Sequence, residues 1–147
     1  MIQDQIMKSI IISIGNIVIP STNIYFNRPQ QPSGLSGFPY LDICIGSPQY
    51  EIKTQNSINN SFVSYLITIK LYTCQQGSND QVSDQCVYQR GLEGVLNYLP
   101  PNTAWHYVTN LMHIIKQPSP DMTKDKELYQ GKDVWISTNI WKLTVIE

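Results

Sequence analysis

Charge is the first thing this sequence has little of. Charged side chains make up 14% of the 147 residues, and ten Lys and Arg against eleven Asp and Glu leave a formal net charge of -1. An ordinary globular domain carries about 25%. With no basic excess to neutralise phosphates, tight general nucleic-acid binding is excluded. A weakly charged surface built from Asn, Gln, Ser, Thr and Tyr solvates less well and associates more readily. Alanine is also nearly missing, with Ala104 alone. Selection for assembly and compositional drift in the coding DNA are the two alternative explanations of this pattern.

The three cysteines, Cys44, Cys74 and Cys86, cannot all pair and match no CxxC ligand spacing. They read as buried small hydrophobes in a reducing compartment. No signal peptide is evident, and the apolar stretch from Ile10 to Ile19, broken by Ser13, Gly15 and Asn16, is too short to span a bilayer. GxSxG, P-loop, GxGxxG and HExxH words are all absent. The two histidines, His106 and His113, would point to opposite faces of a strand and cannot jointly hold a metal there. Asp80 and Asp84 suit a helix N-terminus better than acid–base work. The tyrosines near strands lack the interleaved basic residues that base stacking requires. The reading is therefore not an enzyme, with no catalytic residue, cofactor or metal expected.

What is present is enough apolar surface to fold. Hydrophobic residues make up 41% and aromatics 10%, and a chain this long buries about 68% of its unfolded surface without a disulfide or metal. One domain over 1–147 is expected. Ile2, Ile6 and Ile10 repeat at helical spacing and predict a short helix ending near Gly15, against the β-branched run Ile10-Ile11-Ile12. Residues 23–26 suggest a short strand. Residues 28–39, with three prolines and two glycines in twelve positions, form a loop or arm. Its Leu35 and Phe38 either serve a partner or fold back on the core.

Strict alternation predicts a half-buried strand over Tyr40–Ile45 and a long one over Phe62–Thr73, joined past an Asn-rich turn as an antiparallel hairpin. Tyr50 to Thr54 can extend the first. A helix over Asp80–Leu99 follows, and its Gly91 and Gly94 are expected to allow close approach to a sheet. Trp105–Gln117 and Val134–Ile146 read as strands, the latter with Trp135, Trp141, Leu143 and Val145 on one face interrupted by Ser137 and Asn139. Residues 118–132 form a polar loop or helical turn. The fold class is α+β: a mainly antiparallel sheet of four or five strands, with the N-terminal helix and Asp80–Leu99 packed on one face.

The order of these elements carries a resemblance. The arm ends in Phe38-Pro39-Tyr40-Leu41-Asp42-Ile43, the long strand reads Tyr65-Leu66-Ile67-Thr68-Ile69-Lys70-Leu71-Tyr72, a helix contains Gly91-Leu92-Glu93-Gly94-Val95-Leu96, and Trp135 to Val145 closes the chain. Over nearly its whole length the chain resembles the tail terminator, or tail completion, proteins of long-tailed bacteriophages and related prophages. The resemblance implies a structural protein of the virion tail, assembled in the host cytoplasm. It implies a homo-oligomeric ring, usually hexameric in such proteins, that caps the head-proximal end of the tail tube, ends tube polymerisation and presents a surface to the head-completion or neck protein. DNA would pass through without specific binding, and no membrane is involved. Arg28, Pro29, Leu35 and Phe38 in the arm and Asp121, Lys124, Lys126 and Tyr129 in the second loop are the expected contacts. Another head–tail joining or neck adaptor protein and a small ligand-binding α+β domain are the alternatives.

Overall fold

The computed structural model describes residues 2–15, 19–26, 39–50, 62–74, 82–96, 105, 107–125 and 133–146. The protein has an α+β fold. Among the described residues, helix α1 (Ile2–Ile14) and helix α2 (Val82–Leu96) accompany seven strands: β1 (Ile24–Phe26), β2 (Tyr40–Ile45), β3 (Gln49–Tyr50), β4 (Phe62–Cys74), β5 (Leu111–Gln117), β6 (Thr123–Asp125) and β7 (Val134–Ile146). They form one sheet in the order β1-β2-β4-β7-β5, with β3 beside β4 and β6 beside β7. All pairings are antiparallel except β1 with β2. The strand count exceeds the expected four or five because β3 and β6, two and three residues long, extend the ladders that flank the long central pair.

Alternation builds the core. Val63, Tyr65, Ile67, Ile69 and Leu71 of β4 face the same side as Trp141, Leu143 and Val145 of β7 and Leu41 and Ile43 of β2, and all are buried. Both helices pack against this inner face. Ile6, Ile10 and Ile14 of α1 and Leu92 and Leu96 of α2 are fully buried in the same cluster. Each such side chain contributes about 1.5–3 kcal/mol relative to exposure, which outweighs the weak helix preference of the isoleucine run. The expected N-terminal helix and the β2–β4 antiparallel pairing are both found. After β2, a Cβ on Gly46 would lie 3.3 Å from Leu66 O, and the Gly46 amide donates to that same oxygen at 2.8 Å.

Several expectations need correction. The strand expected over Trp105–Gln117 begins only at Leu111. Trp105 and Val108 are buried at three-residue spacing, the Val108 amide donates to Trp105 O at 3.0 Å, and Trp105 Nε1 donates to Leu96 O at 3.1 Å. Asn110 then takes φ 57 to turn the chain into β5. Residues 123–125 of the expected loop form β6, paired with Val134 to Ile136. Gly94 does not touch the sheet, since a Cβ there would meet open space. Only Cys74 is a buried thiol; Cys44 and Cys86 are exposed. The outer ends of the Asp80–Leu99 helix lie outside the described residues, as does residues 51–54 of the proposed β2 extension.

Candidate functional site

The sheet's second face has no described helix over it. The even-numbered residues of β4 and β7 lie there with Tyr40, Asp42 and Cys44 of β2 and His113 and Ile115 of β5. Its two ends are closed. At one, Ser64 and Thr144 share a 3.0 Å hydrogen bond between buried hydroxyls. At the other, Cys74 and Val134 are buried with Tyr72 and Ile136 against them. There Tyr40 stacks on its cross-strand neighbour Tyr72 with ring centroids 4.4 Å apart and meets Tyr25 edge-on at 5.9 Å. Burial first, then the neighbouring Tyr72 and Asp42, pushes the Tyr40 phenol well above its ordinary range.

Between these ends the face is open. Two cross-strand rows cross it, Cys44–Thr68–Ile140–Gln117 and Leu66–Lys142–Ile115. Leu66 is 46% exposed, Ile115 51% and Met112 47%. Met112 is the extra residue of a bulge between Leu111 and His113, which re-aims its side chain at the rim. Lys142 stands between Leu66 and Ile115 in their row, and exposed aliphatic side chains gathered on one sheet face suit a contact surface.

Beneath α2 lies a polar network that sequence reasoning missed. Gln89 and Asn139 are bonded through their amides, Gln89 Nε2 also donates to Glu93 Oε1 at 3.0 Å, and Lys116 Nζ pairs with the same carboxylate. The Lys116 hydrogen bond, then that of Gln89, holds the Glu93 carboxyl below its usual range. Lys116 also lies 5.8 Å from the Trp141 ring centroid. The signal was present in the sequence, since Asn139 interrupts the apolar face of β7.

A solvent-open cavity of about 310 Å³ adjoins this network, lined by Cys86, Gln89, Arg90, Met122 and Ser137. Its described lining holds neither His113 nor a carboxylate. Among the described residues, no group of three or more His, Cys, Asp or Glu side chains could hold a metal ion, and no helix is long and apolar enough to cross a membrane.

Of the expected contact residues, Arg28, Pro29, Leu35, Phe38, Lys126 and Tyr129 lie outside the described residues, as does His106. Asp121 is exposed just before β6, and Lys124 sits in β6 opposite Trp135 of the ladder. His113 is exposed on the outer face of β5.

No protein-family model matches the chain, and no curated protein matches it significantly.

Proposed function

We propose that the chain is a structural protein of a long-tailed phage or prophage, which self-assembles into a ring capping the head-proximal end of the tail tube. The observation that carries this reading is the open outer sheet face, where Leu66, Ile115 and Met112 stay exposed in a protein with few surface charges. Such a surface suits packing against copies of the same chain and against neighbouring virion parts. A ring is built by heterologous contacts, in which one patch meets a different patch on the next copy. With a net charge of -1, the protein releases few counterions on meeting DNA, which fits passage through a lumen without specific binding. The reading also draws on the resemblance of the sequence to tail terminators, and it assigns no catalysis and no cofactor.

Sedimentation over a range of concentrations, alone and mixed with purified tail tubes, followed by negative-stain imaging, tests the reading. Rings seated on tube ends are expected. A chain that stays monomeric and ignores tubes overturns it. Capture by purified heads in preference to tubes would instead mark a neck adaptor. The cavity beside Cys86 and Arg90 favours a second reading, a small ligand-binding domain.

A further inference from the structure

The solvent-open cavity of about 310 Å³ lies between α2 and the start of the β6–β7 ladder. Its size falls at the small end of the ~300–1,000 Å³ that ligand sites occupy. Cys86 and Arg90, one helical turn apart, line it from α2. Met122, just before β6, and Ser137, on the inner face of β7, line it from the sheet. Most of the polar groups in this described lining are already used. Gln89 Nε2 donates to Glu93 and Asn139, and its Oε1 accepts from Asn139. Ser137 also has a partner. Arg90 differs, because among the described residues its guanidinium has neither a hydrogen bond nor an ion pair. Glu93, three residues further along α2, is taken by Lys116 and Gln89. A guanidinium keeps its charge at any working pH and holds its donors in a planar fork that matches a carboxylate. Beside it, Met122 and Cys86 offer soft, weakly polar sulfur surface.

We infer that this cavity binds a small organic anion, with its acidic head paired to Arg90 and its apolar body against Met122 and Cys86. The inference goes beyond the ring-forming reading, which rests on the outer sheet face, and it gives the second, ligand-binding reading a ligand class.

Cys86 is the reporter, because a ligand in the cavity covers its thiol. Cys44, exposed on the outer sheet face, is the internal control. Alkylation of both thiols by iodoacetamide is timed by peptide mass spectrometry in the presence of benzoate or hexanoate, each raised to ~10 mM, a level that fills even a weak small-molecule site. Both acids are expected to slow alkylation at Cys86 and to leave Cys44 unchanged. Benzamide and hexanamide, which keep the apolar bodies without the charge, are expected to protect about tenfold less well. Acetate and inorganic phosphate, which carry charge without an apolar body, are expected to protect little. Arg90→Gln is expected to erase the preference for acids over amides. Arg90 is exposed, and thermal melts check that this variant keeps its fold. Equal protection by acids and amides, or an unaltered preference in Arg90→Gln, overturns the anion assignment and leaves a ligand cavity standing. Equal protection by acetate or phosphate also overturns it and marks an adventitious ion only. No protection by any probe removes the cavity as a site, and with it the ligand-binding reading, while the ring reading is untouched.

Discussion

The side-chain amides of Gln89 on α2 and Asn139 on β7 exchange hydrogen bonds in both directions. Gln89 Nε2 donates to Asn139 Oδ1, and Asn139 Nδ2 returns a 2.9 Å bond to Gln89 Oε1. Asn139 is 2% exposed and its amide also reaches Ile69 O at 3.5 Å. The pair fixes α2 at one rotation and one height above the sheet, which apolar contact alone specifies less sharply.

Asn139→Ala leaves the Gln89 amide without its partner under the helix. It is expected to lower the unfolding free energy by about 1–3 kcal/mol in urea titration. Because both residues belong to one network, the double variant with Gln89→Ala should cost less than the two single costs combined. Strict additivity would show that the pair is not coupled.

Glu93 is held below its usual pKa by Lys116 and Gln89. A carboxylate with a depressed folded pKa adds stability above its unfolded value of about 4.3 and loses it as pH falls through the folded pKa. The urea midpoint should therefore drop on acidification below about pH 4.3. Glu93→Gln is expected to remove part of that acid dependence, and an identical pH profile would contradict the assignment.

Tyr40 behaves in the opposite sense. Its raised phenol favours the neutral form in the folded protein. That stability is intact below the unfolded tyrosine value of about 10 and is lost as pH climbs beyond it. Denaturation followed from pH 8 to 12 should show an alkaline decline. Tyr40→Phe keeps a ring for stacking and should flatten the curve, whereas an unaltered slope would place the alkaline transition elsewhere.

Gly94 sits in α2 with open space around its Cβ position. Gly94→Ala should raise stability by about 0.5–1 kcal/mol, read as a higher thermal midpoint. A loss would mean that the helix needs the glycine for a contact made in assembly or folding.

Much of the fold was legible because periodicity marks a face that is buried on one side. The alternation from Phe62 through Leu71 and over Tyr40–Ile45 gave strand type, boundaries and pairing, and the Ile2, Ile6, Ile10 spacing gave α1. Trp105 and Val108 misled because a turn can bury apolar side chains as fully as a strand does. β6 was hidden because its Thr-Lys-Asp sequence has no apolar side chain, and only the neighbouring β7 makes it a strand. The open sheet face was not visible either. Leu66 and Ile115 read as ordinary strand residues until the register puts them in one row on the side that no described helix covers. Glycine spacing in α2 suggested close packing, but the helix turns Gly94 outward.

The central ladder sets a schedule for synthesis. Every rung from Phe62 with Ile146 to Cys74 with Val134 joins residues at least 60 positions apart, and β7 follows all the other strands in this chain. While the polypeptide emerges from the ribosome, β4 must wait with one long edge bare until residues 134–146 arrive. That interval, in which β4's apolar alternation is exposed, is when a chaperone or a slowed ribosome would do most to keep the nascent protein from sticking to its neighbours.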